Sequence, residues 1–287
     1  MLKVFLSGIL WGTIGIFVNE LNSLGAGSSL IPFLRMSCAF VIMSAVSFLK
    51  FGKKILIRDK KSIFFCVLLG FICNGLFNIF YTASIKLNGV GIACILMYTA
   101  PVFTALASRL LFHEKFSRLK AAALVINILG CILTVTKTES SIGFGGLTGI
   151  FAGIGTGFCY GMAPIFGKFA GEKTDSMIVS MYSYFFAVIF LMIFSMPDFK
   201  PVIENSKILY VGFLYGLIPT ALTYVIYYDA VKKIKDTSKV PVIASIEPVT
   251  AVLVGIVLYN EEISLINLMG FIIVLFSIAI MIKEKEK

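Results

Sequence analysis

The sequence predicts an all-α integral membrane protein in which ten transmembrane helices form two inverted five-helix repeats. Of its 287 residues, 59% are apolar and only 14% are charged, and the mean hydropathy is +0.98. The apolar residues fall into ten runs, each close to the roughly 20 residues that a membrane-spanning helix needs. Residues of the first five runs recur at a fixed spacing in the last five. This composition excludes a soluble enzyme, a secreted disulfide scaffold and a disordered chain, because a soluble fold would leave too much apolar surface in water.

The ten apolar runs are separated by short polar segments that carry helix-start signals. The runs are Leu2–Val18, Ile31–Leu49, Ile63–Ile85, Gly91–Phe112, Leu119–Val135, Leu147–Phe169, Met177–Met196, Ile208–Tyr228, Val240–Tyr259 and Leu265–Ile282. Serine residues and a first-turn proline, which favour helix N-termini, stand at Ser29 and Pro32 and again at Ser238 and Pro241. The first run lacks a small-x-small cleavage site, so we expect an uncleaved helix.

The distribution of basic residues predicts the orientation in the membrane. If the N-terminus is inside, 20 of the 25 Lys and Arg residues fall in inner segments, four fall in outer segments, and Arg35 lies within a run. Cytoplasmic loops carry such an excess of positive charge. We therefore expect a multi-pass protein of the cytoplasmic membrane with both termini in the cytoplasm. The net charge of +10 then reflects topology, and we expect no nucleic-acid partner.

Metal and disulfide chemistry are not indicated. All six cysteines lie within apolar runs without a C-x-x-C spacing, and the chain has a single histidine. A histidine-based metal cluster is excluded on that count, and we interpret the cysteines as small packing residues. We expect no metal and no cofactor.

An internal repeat relates the two halves of the chain. An offset of 147 residues places Ala100-Pro101-Val102 on Glu247-Pro248-Val249, and an offset of 149 places Gly8 and Gly12 on Gly157 and Gly161. Each half has five helices, an odd number, so the second half enters the membrane from the opposite side. Inverted repeats of this kind are frequent in secondary transporters. The predicted parts are a first repeat at 1–137, an extracytoplasmic linker at 138–144 and a second repeat at 145–287.

Three stretches of the chain carry a resemblance to a known family. They are Tyr98-Thr-Ala-Pro-Val-Phe-Thr-Ala-Leu through Glu114, Ile246-Glu-Pro-Val-Thr-Ala-Val-Leu through Glu261, and Trp11-Gly12 together with Phe33-Leu-Arg35. With these stretches the whole chain resembles the drug/metabolite transporter superfamily, in its EamA-type branch. The resemblance implies two inverted five-helix halves around a central cavity and the transport of small organic metabolites, often outward. The family often has a lysine at the end of helix one, where this chain has Asn19-Glu20.

Glu247 is the sharpest candidate for chemistry. It lies within an apolar run directly before Pro248, and proline frees a backbone carbonyl and kinks the helix. A carboxylate in lipid is costly and normally faces a cavity or a partner. Glu247 could couple transport to protons or neutralise a cationic group of the substrate. The alternative is a structural group that is hydrogen-bonded between helices.

Polar and aromatic residues on several helices suggest a common substrate cavity. On the third run, Asn74, Asn78 and Tyr81 share one helical face. The complete set of predicted cavity-lining residues is Trp11, Asn74, Asn78, Tyr81, Tyr98, Thr99, Tyr160, Tyr224 and Glu247. The alternatives are interhelical hydrogen bonding and anchoring of single tyrosines at the membrane interface.

Other singled-out residues are interpreted as structural. Gly145, Gly149, Gly153, Gly157 and Gly161 form a small-residue face that allows a neighbouring helix to approach closely. We expect Arg35 to extend to the interface or to cap helix ends, and Pro101 and Pro248 to shape their helices. Glu114 and Glu261 precede Ser117 and Ser264, where a negative charge suits the start of the following helix.

Together these features predict a secondary transporter that moves a small amphipathic metabolite, such as an amino acid, outward by alternating access. An ATP-driven pump is disfavoured because the chain has no nucleotide-binding motif. A passive channel or sensor is an alternative, although the rings of charge or carbonyls typical of channels are not indicated. A membrane-embedded enzyme acting on lipids would need a convergent catalytic set.

The orientation can be tested by labelling engineered cysteines in intact cells with a membrane-impermeant maleimide. Because the basic residues place the segment around Lys54 inside and that around Lys200 outside, Lys200→Cys should be labelled and Lys54→Cys should not. Permeabilised cells serve as the control and should label both. Labelling of Lys54→Cys in intact cells would contradict the predicted orientation.

Overall fold

A computed structural model of the chain describes residues 1–114, 117–135, 146–259 and 264–283, with the backbone alone at Val90 and Gly91. Within these ranges the regular elements are all helices. The predicted linker at 138–144, Gly145 and Glu261 lie outside the described residues. The predicted all-α membrane fold is confirmed for the part of the chain that the structure describes.

Ten segments of the described chain are long and apolar enough to cross a membrane. They are α1 (Leu2–Ser23), α2 (Leu30–Ile55), α3 (Lys60–Gly89), α4 (Ile92–Phe112), α5 (Arg118–Val135), α6 (Gly146–Ala170), α7 (Ser176–Phe194), α8 (Lys207–Val231), α9 (Lys239–Tyr259) and α10 (Leu265–Lys283). Each predicted apolar run corresponds to one of these segments. A chain that crosses lipid must satisfy its backbone hydrogen bonds within itself, which a helix does. Long apolar runs therefore identify the membrane-spanning helices.

Several segments are interrupted by irregular backbone. α1 consists of helices Leu2–Gly12 and Ile14–Ser23, α2 ends in the 3-10 turn Gly52–Ile55, and α9 consists of Lys239–Ala244 and Ile246–Tyr259. α3 contains the π-helix Leu69–Leu76 between Lys60–Leu68 and Phe77–Met97, and α8 contains the π-helix Leu217–Leu222 between Lys207–Gly216 and Thr223–Val231. The helix Phe77–Met97 passes from α3 into α4 through Gly89, whose φ is +79°, and Ala100–Phe112 completes α4. A short helix, Lys200–Glu204, precedes α8.

The two π-helices occupy corresponding places in the repeat. An offset of 147 residues places 69–76 on 216–223, which contains Leu217–Leu222. In each π-helix a polar side chain bonds to the carbonyl five residues earlier: Asn74 Nδ2 donates to Leu69 O at 3.1 Å and Thr220 Oγ1 to Tyr215 O at 2.9 Å. The wider turn is thus stabilised locally, and π-helical turns are frequently found at functional sites.

The contacts divide the chain into two compact units. The first comprises Met1–Gly12, Phe77–Ile165 and Ile234–Lys287, and the second comprises Thr13–Leu76 and Phe166–Lys233. The first unit therefore contains α4 and α5 together with their predicted repeat partners α9 and α10. The second contains α2 and the first part of α3 together with α7 and α8, their predicted repeat partners. Each unit thus draws on both sequence halves.

Glycine contacts within the first unit support the repeat in detail. A Cβ on Gly8 would meet Ala244 O and Ile246, and one on Gly12 would meet Thr250 and Glu247 O. In the second half, a Cβ on Gly157 would meet Met97 O and Thr99 Oγ1, and one on Gly161 would meet Ala100 O and Phe103. The offsets of 149 and 147 carry each contact of the first pair onto the second. α1 approaches α9 in the same way that α6 approaches α4.

A buried polar group joins α5, α9 and α10 within the first unit. Asn127 Nδ2 donates to Ser245 Oγ at 2.5 Å and to Ser277 Oγ at 2.9 Å. Gly130 lies so close to α10 that a Cβ would stand 2.8 Å from Val274 N. The interruption of α9 at Ser245 is therefore held from its side by α5.

Arg35 is buried within the second unit. Its side chain is 7% exposed, its Nε donates to Thr220 Oγ1 at 2.9 Å, and its guanidinium lies 5.2 Å from the centroid of the Tyr215 ring. We expected an arginine that extends to the membrane interface. Instead, α8 binds it with a hydroxyl and an aromatic face, a cation–π arrangement that suits the guanidinium group.

An anchoring cluster, formed by Glu114, Lys120, Asp236 and Lys239, fixes the start of α9 in the first unit. Lys120 forms an ion pair with Asp236, and Lys239 Nζ lies 4.0 Å from the same carboxylate. Lys120, Asp236 and Lys239 are all buried. The Glu114 carboxylate accepts hydrogen bonds from the backbone N–H groups of Thr237 at 2.7 Å and Ser238 at 3.2 Å.

The role expected for Glu114 is therefore corrected. Ser117 Oγ itself caps the start of α5 by accepting from Lys120 N at 3.1 Å. Glu114 follows His113, which ends α4 in the left-handed conformation with φ 53°, and caps α9 instead. The N–H groups at a helix start favour a carboxylate from any part of the chain that reaches them.

Glycine packing is testable by substitution of Gly157. A leucine there would overlap Thr99 and the backbone of α4, and overpacking of this kind typically costs about 1–3 kcal/mol. We expect Gly157→Leu to lower the melting temperature in detergent by several degrees. Gly15→Leu is the matched control, since a Cβ at Gly15 meets nothing within 4 Å. Equal melting temperatures for the two variants would contradict the packing role.

Removal of the Asp236 carboxylate tests the anchoring cluster. Burial alone would raise the pKa of Asp236, but hydrogen bonds from Lys120 and Ser238 outweigh it, so the pKa is lowered. The carboxylate therefore stabilises the fold above its ordinary pKa of about 3.9, and this contribution is lost as the pH falls through the lowered value. We expect Asp236→Asn to cost about 3 kcal/mol at pH 7, because buried lysines lose their counter-charge, and to weaken the acid dependence of stability.

The control for Asp236→Asn is Glu204→Gln, which removes a carboxylate from an exposed ion pair with Lys200 at 3.7 Å. Exposed pairs contribute little, so its melting temperature should stay within about 1–2 °C of that of the wild-type protein. Similar losses in both variants would show that burial of the cluster does not matter.

Candidate functional site

The Glu247 carboxylate lies at the interruption of α9. Ser245 separates Lys239–Ala244 from Ile246–Tyr259, so Glu247 lies in the first turn of the second helix. A carboxylate is favoured there by the positive end of the helix dipole. Ser245 Oγ donates to Val242 O at 2.5 Å and so satisfies one carbonyl at the end of the first helix. Local backbone chemistry therefore explains how a charged side chain is accommodated within an apolar segment.

The corresponding break in α4 lacks a carboxylate. α4 is interrupted at Tyr98 and Thr99, directly before Ala100–Phe112. The 147-residue offset places Ala100 on Glu247 and Pro101 on Pro248. Both repeats thus contain a broken helix followed by a proline, but only the second carries a carboxylate at the break. The pair of broken helices belongs to the scaffold, whereas Glu247 is specific to one of them.

Aromatic side chains from three segments are linked to the carboxylate through Tyr160. Tyr160 of α6 donates its hydroxyl hydrogen to Glu247 Oε2 at 2.8 Å. The Trp11 ring of α1 meets the Tyr160 ring edge to face at 6.1 Å, and the Phe77 ring of α3 lies 6.0 Å from it. Tyr81 stacks on Phe77 at 5.7 Å. We call Trp11, Phe77, Tyr81, Tyr160 and Glu247 the aromatic–carboxylate cluster.

The cluster includes two residues that the repeat makes equivalent. The offset of 149 places Trp11 on Tyr160, and these two rings are in contact. Trp11 and Tyr160 are thus equivalent residues of the predicted repeat that contact each other, and Tyr160 is bonded to Glu247.

Further predicted lining residues pack near the cluster. Tyr98 is buried in the same apolar group as Ile246 and Val249, which flank Glu247. Tyr81 Oη lies 3.2 Å from Cys94 Sγ. Thr99 Oγ1 donates to Leu96 O at 2.7 Å. Asn78 belongs to the same unit and is half-buried.

Two predicted lining residues belong to the second unit. Asn74 is almost fully buried and donates to Ser183 Oγ of α7 at 2.8 Å. Tyr224 packs its ring against Tyr184 and Tyr228 at 6.0 and 5.6 Å. The polar face predicted on the third run is thus divided between the units, because the chain passes from one to the other between Leu76 and Phe77. Their lining role stays a prediction.

Sequence reasoning missed Phe77. The search followed polar side chains along one helical face, and Phe77 is apolar. Its signal was the spacing of four residues to Tyr81, which places both rings on one side of a helix. The structure shows that this aromatic pair, rather than a polar stripe, approaches Tyr160.

The chemistry of the cluster suits a proton or an organic cation. A phenol donor stabilises a carboxylate, whereas apolar neighbours disfavour its charge. The faces of Trp, Tyr and Phe rings attract cations, so an ammonium group could also bind beside the carboxylate.

Proteins named as transporters match this chain over most of their length. An uncharacterized transporter of Archaeoglobus fulgidus is 26% identical over 283 residues, which cover 98% of this chain and 95% of that one. The uncharacterized inner membrane transporter YicL of Salmonella typhimurium is 20% identical over 293 residues, which cover 100% of this chain and 96% of the relative. A solved crystal structure superposes with a TM-score of 0.80 at 16% identity, covering 98% of this chain and 97% of the other, and shows the fold alone.

The family assignment follows from the sequence profile of the EamA-like transporter family. It matches residues 1–136 and again residues 147–283, one match for each predicted half. The two matches agree with the two broken helices and with the recurring glycine contacts. The ten apolar segments, the paired halves and the related transporters lead to one conclusion: this multi-pass membrane protein belongs to the EamA-like transporter family.

Proposed function

We propose that this transporter moves a small amphipathic organic metabolite, such as an amino acid, outward across the cytoplasmic membrane, with both termini in the cytoplasm. Transport proceeds by alternating access and is coupled to protons through Glu247. The observation that carries this proposal is the hydrogen bond between Tyr160 and Glu247 at the break in α9. Trp11, Tyr81, Tyr98 and Tyr160 line the substrate site, and Asn74, Asn78, Thr99 and Tyr224 complete the proposed lining.

The position of Glu247 supports a binding role. Secondary transporters bind substrates and coupling ions where discontinuous helices meet at the interface of their repeats. Glu247 stands at a helix break, next to the contact between the repeat-equivalent residues Trp11 and Tyr160. A carboxylate that served only to stabilise the fold would not need to lie at this place.

Protonation of Glu247 would alter a contact between segments. As an anion, the carboxylate accepts the Tyr160 hydrogen. Once protonated, it carries a hydrogen of its own and is a weaker acceptor. Binding or release of a proton therefore changes the strength of the bond that joins α6 to α9. A coupling site requires this property, because a proton can drive transport only through a difference in free energy between two states.

The way in which the chain joins its two units supports alternating access. It passes between them at residues 12–13, 76–77, 165–166 and 233–234. The first crossing lies at the interruption of α1, the second at the end of a π-helix, and the third directly after Pro164. Breaks, π-turns and prolines are the usual places where helices bend, so these crossings suit hinges.

The lining chemistry supports an amphipathic substrate. Aromatic rings offer apolar surface, and Glu247 offers one negative charge for an ammonium group. Amino acids and related amines combine both features. The two roles of Glu247, as proton acceptor and as counter-charge, use the same oxygen atoms, so a proton and a substrate ammonium group would compete for them.

Glu247→Gln separates charge from shape, since the amide keeps size and hydrogen bonding but does not titrate. Uptake of a panel of radiolabelled amino acids into proteoliposomes, with and without a pH gradient, provides the measurement. We expect the gradient-driven component of uptake to fall at least about tenfold in the variant. A tenfold change corresponds to about 1.4 kcal/mol. Its melting temperature should stay near that of the wild-type protein.

Two further variants complete the experiment. Glu20→Gln removes an exposed carboxylate that pairs with Lys207 and should leave both components of flux unchanged. Tyr160→Phe removes only the hydroxyl and should shift the pH at which flux is half-maximal. Full flux with an unchanged gradient response in Glu247→Gln would reduce Glu247 to a structural hydrogen-bonding group and end the coupling hypothesis.

A further inference from the structure

A groove in the second unit has features that transport does not require. It lies where the 3-10 turn Gly52–Ile55 and the following segment to Asp59 meet the turn before α7, and its volume is about 270 Å³. Lys54 and Arg58 line it from the first side, and Lys173 and Asp175 from the other. We call it the basic groove. None of its lining residues belongs to the aromatic–carboxylate cluster.

The carboxylates at the basic groove are engaged in helix caps. Asp59 Oδ2 accepts from Ser62 N and Ser62 Oγ, each at 2.9 Å, and so caps α3. Asp175 Oδ1 accepts from Met177 N at 2.9 Å and caps α7. These hydrogen bonds, with the charge of Lys173, hold the pKa of Asp59 below its usual value. Both anions are therefore committed to the ends of their helices.

Most of the basic residues in or beside the basic groove form no ion pair with a described carboxylate. Lys61 pairs with Glu172 at 2.8 Å, and Lys173 lies 3.6 Å from Asp59. Lys53, Lys54, Arg58 and Lys60 form no ion pair within the described ranges. Three cations and two carboxylates line the groove, and Lys53 and Lys60 adjoin it in sequence. Positive charge therefore predominates at the groove, which favours an anion.

The basic groove opens at the level where two apolar segments end. Immediately before it, α2 exposes Phe48 and Leu49, and immediately after it, α3 exposes Phe64. Leu56, between Lys54 and Arg58, is 67% exposed. Exposed apolar side chains next to unpaired cations suit the boundary between acyl chains and headgroups. A soluble anion would use only the charges, whereas a phospholipid would use both features.

We propose that the basic groove binds the phosphate of an anionic phospholipid, with Lys54 and Arg58 as its ligands and the acyl chains along Phe48, Leu49 and Phe64. The positive-inside rule requires basic residues only in number. The rule does not account for three further features: the groove itself, the carboxylates that cap helices, and the exposed Leu56. The bound lipid would join the end of α2 to the starts of α3 and α7.

The test measures binding of phosphatidylglycerol to the purified full-length protein by native mass spectrometry and by the shift in melting temperature. Lys54→Gln/Arg58→Gln is the test variant. Arg109→Gln/Arg118→Gln, which removes two exposed charges from the first unit, is the matched control. Since each basic side chain near an anionic surface contributes about a fivefold factor in affinity, we expect binding about thirtyfold weaker in the test variant and within about twofold of wild type in the control.

Two comparison ligands identify the source of the phosphate. Phosphatidylcholine and soluble glycerol 3-phosphate should both fail to raise the melting temperature of the wild-type protein. If glycerol 3-phosphate stabilised the protein as much as phosphatidylglycerol does, the site would bind a soluble anion. If phosphatidylcholine did so, binding would not depend on the net charge of the lipid. Either result would overturn the proposal, and so would equal losses of binding in the test and control variants. The single variants Lys54→Gln and Arg58→Gln serve if the double variant is unstable, and each should lose about fivefold.

Discussion

The arrangement of α9 is governed by the need to accommodate one carboxylate within an apolar segment. Glu247 is stable in its segment because the break at Ser245 places it in a first helical turn, and because Tyr160 donates to it. Both conditions require α9 to sit in a fixed register. Asn127 holds the break from the side of α5, and Glu114 caps the start of α9. Contacts far from Glu247 along the chain therefore determine where its charge lies.

The two halves share a scaffold and differ in charge. Their glycine contacts, their π-helices and the prolines after the two breaks, Pro101 and Pro248, correspond, because the same helix packing is used twice. Two ionic residues of the site and the anchoring cluster have no ionic counterpart in the other half. Ala100 stands in place of Glu247, and Asn267, which donates to the carbonyls of Leu133 and Thr134, stands in place of Lys120. The two halves therefore share their packing but differ in these ionic groups.

The sequence was sufficient for the ten segments, because hydropathy determines where a chain crosses lipid. Four of the five residues of the aromatic–carboxylate cluster had been singled out from the sequence, since aromatic and polar side chains within apolar runs are conspicuous. Their lining of a substrate site and the inverted relation of the two repeats stay predictions. The π-helices were not predicted, because a shift from 3.6 to a wider turn leaves hydropathy unchanged. Phe77 escaped notice for a related reason, being one apolar residue among many.

Charged residues were the hardest to place from sequence. Arg35 was expected to extend to the interface or to cap helix ends, and Glu114 to suit the start of the following helix. Each instead binds a partner far along the chain, at Thr220 and Thr237. Lys120 and Lys239 were counted as loop charges that orient the chain, yet both are buried beside Asp236. Local pattern fixes the position of a charge along a helix, but its partner depends on tertiary contacts that periodicity does not encode.

The Trp11–Tyr160 contact has a spectroscopic consequence. Trp11 is the single tryptophan of the chain, it is 4% exposed, and its ring touches the phenol that is bonded to Glu247. Indole emission from the unlabelled protein therefore originates entirely beside the carboxylate. Its wavelength and quenching respond to changes at these rings, so the native fluorescence of this transporter reports on the surroundings of Tyr160 and Glu247 without any label.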